Sequence, residues 1–111
     1  MEGSMERFSR TEKLLGSNKL NILQNSHAVI FGAGAVGSFA AESLVRSGIG
    51  NLTIIDFDEI SISNINRQLY ALESTLGRKK VEVAAERLSD INPGCNLHPI
   101  VSFADKDSIP E

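Results

Sequence analysis

The sequence predicts an α/β fold, a parallel sheet with flanking helices. Residues 27–56 read as strand, glycine-rich turn, helix, strand, and a second helix-then-strand pattern follows over residues 77–101. Strands alternating with helices give parallel neighbours joined by right-handed crossovers. The third observation is composition: of 111 residues, 41% are hydrophobic and 23% charged. Those proportions fit a single globular domain with a core rather than a disordered chain.

Residues 1–26 are read as an N-terminal helical segment. Residues 1–5, between Met1 and Met5, are set aside as a start region. Leu14, Leu15, Leu20, Ile22 and Leu23, interrupted by Gly16-Ser17, predict two short helices, the second near 18–25. Residues 27–32 (His-Ala-Val-Ile-Phe-Gly) form a continuous apolar run, expected as a strand buried on both faces. Val36, Phe39, Ala40 and Leu44 recur at helical spacing over residues 35–47, with Arg46 in the last turn and Gly48 at the cap position. Leu52 to Asp56 is a second buried strand. Residues 57–76 lack periodicity and predict a loop with a short helical turn. Val81, Ala84, Ala85, Leu88 and Ile91 make one face of a helix over 77–91, stopped by Asn92-Pro93-Gly94. Leu97 to Val101 reads as a third strand weakened by Pro99. The polar residues 104–111 read as a tail that is cut short.

Net charge is −3, which argues against a general polyanion binder. Residues 61–81 differ from the whole, with Arg67, Arg78, Lys79 and Lys80 against Glu73 alone. The single cysteine, Cys95, excludes an internal disulfide and a cysteine-built zinc site, and a reducing, cytoplasmic setting is expected. No apolar run approaches the ~20 residues of a membrane span, so no membrane partner is expected. Cys95 reads as a small structural residue, and His27 and His98, placed at strand ends, as structural.

Gly32, Gly34 and Gly37 make a G-x-G-x-x-G turn between a strand and a helix. Such a turn needs one glycine for the tight bend, one for phosphate approach and one for helix–strand packing. The helix N-terminus then offers N–H groups to an anion. Asp56 closes the second strand 24 residues after Gly32, where a carboxylate accepts hydrogen bonds from ribose hydroxyls. A nucleotide is therefore expected, but these features suit a nicotinamide cofactor as well as ATP. The polar run Ser63-Asn64-Ile65-Asn66-Arg67-Gln68 and Lys80 tilt the balance. An NAD site needs no such segment, whereas cations beside phosphates stabilise charge during transfer. Arg78 and Lys79 are expected to be solvated.

These motifs together resemble the ThiF/MoeB/HesA superfamily of E1-like adenylating proteins, related to ubiquitin activation. The resemblance runs through Arg7-Phe8-Ser9-Arg10, the Gly32–Gly37 turn, Asp56-Phe57-Asp58, Ser63 to Gln68, Gly77 to Glu82 and Asp90-Ile91-Asn92-Pro93, about residues 6–103. Arg10 to Gly16 and Gly77 to Cys95 look most similar to the tRNA threonylcarbamoyladenosine dehydratase branch. The resemblance implies a Rossmann-like, nucleotide-binding half-domain over 27–103, the N-terminal part of an E1-like fold. It implies ATP and Mg²⁺, with attack of a carboxylate on the α-phosphate and formation of an acyl-adenylate. Gly32, Gly34, Ala35 and Gly37 would form the phosphate turn, and Asp56 would hold ribose. Ser63, Asn64, Arg67 and Lys80 would line the phosphates, with Arg67, Lys80 and Arg10 in the catalytic roles. Asp58 would help with the metal, and Arg10 would reach the partner's ATP across a homodimer. The carboxylate would sit on tRNA or on a ubiquitin-like or sulfur-carrier protein. Family members run to more than twice this length, and the Asp of their next strand, central to magnesium, has no match after residue 103. The chain alone is therefore expected to be inactive. In the family's strand order 3-2-1-4, its first strand would become an open edge inviting association. The rival readings are an NAD-binding oxidoreductase and a chain that has lost its chemistry.

Overall fold

The structure is a computed structural model of the 111-residue chain, and it describes residues 6–102. The tail expected over 104–111 lies outside the described residues. The elements run α1 (Ser9–Leu15), α2 (Ser17–Gln24), β1 (His27–Phe31), α3 (Ala35–Ser47), β2 (Asn51–Asp56), α4 (Lys80–Ile91) and β3 (Asn96–Val101). Between β2 and α4 lie two single 3₁₀ turns, Ile62–Asn64 and Glu73–Thr75, inside the segment expected to be a loop.

The sheet order is β1-β2-β3, with both pairs parallel. Ala28 pairs with Leu52 and Ile30 with Ile54, while Leu52 pairs with Leu97 and Ile54 with Pro99. Pro99 is tolerated because β3 is an edge strand. Both crossovers step in the same direction, so right-handedness places α3 and α4 on one face of the sheet, packed against each other. The core sits between that face and the helices. Leu52 and Ile54 meet Ala41 and Val45 of α3, Val81, Ala84 and Leu88 of α4, and Tyr70 from the connecting loop.

Two expectations are corrected here. The first is β1, which is buried on one face only: Ala28 and Ile30 lie inward, whereas Val29 and Phe31 are 48% and 45% exposed. β1 is an edge, and no described element covers the second face of the sheet; only β2, the central strand, has buried residues on both faces. The second is the face of α3. Ser38, Ala41 and Val45 are buried, while Val36 and Phe39 are 83% and 57% exposed and Ala40 is exposed too. At about 100° per residue the two stripes lie on opposite sides of the helix. The small residues win the sheet side because the start of α3 is pressed onto the glycine turn.

The remaining elements form as the sequence predicts, with small shifts. Gly48 caps α3 in a left-handed conformation (φ 114°), its N–H donating to Leu44 O at 3.1 Å. α4 begins at Lys80 rather than 77, because residue 79 bridges to residue 59 before the helix starts. Asn92 is buried just beyond α4, and its Oδ1 accepts the Gly94 N–H at 3.1 Å, which turns the chain toward β3. Phe8 is buried against Gly48 and so fastens the N-terminal helices to the C-terminal end of α3. His98 lies within β3 rather than at its end; its ring stands 5.9 Å from that of His27, whose Nε2 is 2.7 Å from Thr53 Oγ1.

Candidate nucleotide site

The site is built where β1 and β2 end, the edge of a parallel sheet at which ligands bind. Gly32 follows β1 with φ 99°, a conformation closed to most side chains, and its N–H donates to Ile55 O at 2.8 Å. A Cβ at Gly37 would stand 1.8 Å from Gly32 O, so this close approach of helix to turn requires glycine. Gly34 (φ −88°) differs from both. A Cβ there would meet only the Gln68 side chain, at 3.7 Å, so the space above it is open to a ligand. Ala35, Val36 and Gly37 open the 13-residue α3, where N–H groups lack intrahelical acceptors and the dipole favours an anion.

Asp56 ends β2 and has a duty that the sequence did not reveal. Its Oδ2 accepts the Ala33 N–H at 2.7 Å and its Oδ1 accepts the Asp58 N–H at 2.9 Å. The carboxylate thus ties the glycine turn to the chain leaving β2. Each oxygen keeps a further lone pair for a hydroxyl donor. An open cavity of about 280 Å³ lies beside it, lined by Phe31, Gly32, Ile55, Asp56, Phe57, Asp58 and Ser102.

Lys80 is the first residue of α4, and its N–H donates to Asp58 O at 3.1 Å. Its side chain is only 8% exposed, and its Nζ lies 3.9 Å from Asp58 Oδ2. A nearly buried lysine side chain thus sets its ammonium beside an exposed carboxylate. Lys79, expected to be solvated, instead lies 5.3 Å from the centre of the Phe57 ring and 3.9 Å from Glu59. Arg78 is exposed as expected and pairs with Glu86.

The Ser63–Gln68 segment holds its residues in different conditions, and only Gln68 is seen beside the glycine turn, at Gly34. Asn64 is buried, and its Oδ1 accepts both the Ser61 N–H (2.9 Å) and the Ser61 hydroxyl (3.1 Å), so half its carboxamide shapes the loop. Ser63 is exposed, its Oγ 3.2 Å from Ser61 Oγ. Arg67 is exposed and folded back, Nη1 donating to Ser63 O (2.8 Å) and Asn66 Oδ1 (3.0 Å). These are exposed local contacts, which leave the guanidinium free to swing toward an anion.

Arg10 is not brought to this cluster. It follows Phe8 by two residues, and Phe8 packs on Gly48 at the far end of α3, about 20 Å from the glycine turn by the length of the helix. Cys95 is buried, and burial pushes its thiol pKa up, which fits a structural residue. Among the described residues no three His, Cys, Asp or Glu side chains group to hold a metal, and no helix is long and apolar enough to cross a membrane.

A larger cavity of about 680 Å³ lies between the 69–78 loop and α4, and the residues of the glycine turn, Asp56 and Lys80 do not line it. Beside it, Arg87 donates to Glu42 of α3 at 2.5 Å. The Arg87 guanidinium holds the Glu42 carboxyl below its ordinary range, and burial pushes the Tyr70 hydroxyl up to about 12. Sequence periodicity gave no sign of this tie.

Comparison with known proteins accords with the geometry. The chain is 46% identical over 99 residues to the tRNA threonylcarbamoyladenosine dehydratase of Bacillus subtilis, covering 89% of this chain and 39% of that protein. It is 40% identical over 83 residues to the molybdopterin-synthase adenylyltransferase of Escherichia coli, covering 75% of this chain and 33% of the relative. Its fold superimposes on the E. coli tRNA N6-threonylcarbamoyladenosine dehydratase, TcdA, crystallised in complex with ATP. The TM-score is 0.90 at 42% identity, over 93% of this chain and 42% of that one. The chain thus spans about two fifths of the length of these two dehydratases. Residues 8–111 match the ThiF family, and the chain belongs to it.

Proposed function

We propose that this chain is the ATP-binding part of an adenylating enzyme that activates a carboxylate as an acyl-adenylate. The observation that carries this reading is the meeting of three features at one sheet edge. They are the open Gly34 position at the start of α3, the Asp56 carboxylate, and the buried Lys80 ammonium. A dinucleotide turn accounts for the first two; the buried cation aimed at the same edge favours a triphosphate. In this reading the α3 N-terminus and Lys80 hold phosphate oxygens, Asp56 takes the ribose, and Arg67 swings out of its local contacts toward the leaving group. Ser63 and Asn64 line the phosphate path. Asp58, whose exposed carboxylate is near Lys80, would supply one oxygen for Mg²⁺, and the metal would neutralise charge on the phosphates.

The chemistry is a substitution at phosphorus. A carboxylate oxygen bonds to the α-phosphorus, pyrophosphate leaves, and AMP becomes the leaving group that a free carboxylate lacks. The likeness to threonylcarbamoyladenosine dehydratases points to a threonylcarbamoyl carboxylate on tRNA, whose activation permits ring closure with net loss of water. The likeness to molybdopterin-synthase adenylyltransferase favours a second reading, with a protein C-terminus as the carboxylate. The distance of Arg10 from its own glycine turn supports its action on a partner's ATP in a homodimer.

The test is displacement of a fluorescent ATP analogue from the chain. Lys80→Ala is expected to weaken ATP binding about 10–100-fold, the worth of a charge-assisted hydrogen bond, with adenosine binding unchanged. Equal affinity in the variant would remove Lys80 from the site.

A further inference from the structure

The chain has two histidines, and the fold brings them together on the second face of the sheet. Side chains on that face come in register rows: His27, Asn51 and Asn96 in one, Val29, Thr53 and His98 in the next. His27 on β1 and His98 on β3 therefore flank the central strand, and both are exposed. Their rings lean together, with centres 5.9 Å apart and planes tilted by 51° rather than stacked. Two imidazoles that share one zinc ion, each nitrogen at ~2.0–2.1 Å from the metal, have ring centres roughly 5–6 Å apart. His27 Nε2 stands 2.7 Å from Thr53 Oγ1. A histidine that ligates a metal characteristically anchors its other ring nitrogen on an oxygen, which fixes tautomer and orientation. When Nε2 donates to Thr53, the Nδ1 lone pair of His27 is left for a ligand. Among the described residues the His98 nitrogens meet no hydrogen-bond partner. The polar neighbours in the two rows, Asn51, Thr53 and Asn96, are uncharged, so no ion pair competes for either ring.

We propose that His27 and His98 together hold one divalent ion of the zinc class, joining β1 to β3 across β2. Imidazole suits zinc, copper and nickel, and two protein ligands leave the remaining positions to water on this open face. Thr53 is the positioning residue, acting through the His27 ring. The ion stabilises the folded chain by mass action, because the unfolded chain does not hold the two rings together. The site lies where β1 begins, at the end of the sheet opposite the glycine turn, and is independent of the nucleotide reading.

The experiment is a zinc chloride titration of the untagged chain, followed by NMR at the two imidazole C–H signals, which only His27 and His98 supply. Both signals are expected to shift together and to saturate at one zinc per chain. His27→Ala and His98→Ala should each weaken binding at least about tenfold, and Thr53→Val by about tenfold, the lower end for a lost supporting contact. Zinc at about 100 times its dissociation constant should raise the melting temperature of the unaltered chain by roughly 5 °C or more, reversed by a chelator. The two alanine variants, altered at exposed positions, should melt as the unaltered chain does without zinc and lose that rise with it. A shift of one imidazole alone, or unchanged zinc affinity in either alanine variant, would overturn the proposal. So would sedimentation showing that zinc pairs two chains, since the histidines would then serve different molecules.

Discussion

At the scale of single residues, the glycine turn separates positions that look alike in sequence. Gly37→Ala drives a methyl into the Gly32 carbonyl, and a shift of helix against strand is expected to cost at least about 2–3 kcal/mol. Gly34→Ala meets only a flexible side chain at ordinary contact distance and needs no left-handed backbone. Its melting temperature is expected to stay within about 2 °C of the unaltered chain, the effect of a neutral surface change. ATP affinity should nevertheless fall, because the methyl occupies the phosphate approach. Thermal melts and ATP titrations of the two variants check both statements. The packing role of Gly37 was legible in the motif. The clamp that Asp56 places on Ala33 was not, since a motif records that an acid closes the strand and not which N–H it meets. Gln68 is a similar case. It stands in the polar run, but only the folded loop shows that it covers Gly34.

At the scale of elements, α3 and α4 are joined by the pair Glu42–Arg87, whose carboxylate is 16% and guanidinium 38% exposed. The arginine hydrogen bond is the largest influence on Glu42 and lowers its pKa below the ordinary 4.5. A lowered carboxyl stabilises the fold fully above its unfolded value and loses that contribution as pH falls through the folded value. Acid melts from pH 6 downward should therefore show this contribution fading below about 4.5 in the unaltered chain and absent in Glu42→Gln. Arg87→Ala is expected to cost about 1 kcal/mol at neutral pH, given the partial exposure of the pair. Helix boundaries were close to the sequence reading because Gly16, Gly48 and Asn92 stop the chain by local means. The sheet-facing side of α3 was misread for a physical reason. Its stripe of Val36, Phe39, Ala40 and Leu44 has the period of a core face, yet only Leu44 packs against the core, and tight packing at the turn selects Ser38 and Ala41 in place of Val36 and Phe39.

At the scale of the whole molecule, the three-stranded parallel sheet followed from the order of elements, and β1 stands at its edge. What covers the second face did not follow, since Val29, Phe31 and Ile100 remain 48%, 45% and 43% exposed there. An open parallel edge beside an apolar face favours association. Sedimentation velocity is expected to show a dimer or larger species, and a stable monomer at all concentrations would sink that expectation. The proposed ATP recognition rests on the same architecture, in which residues 32–37, 56 and 80 come to the sheet edge from three separate segments. The most direct measurement of that claim is a calorimetric titration of the chain with ATP and magnesium and, separately, with NAD. Saturable binding of ATP with none of NAD is the predicted result. Tighter binding of NAD would contradict the account and return Lys80 and Arg67 to the ordinary surface.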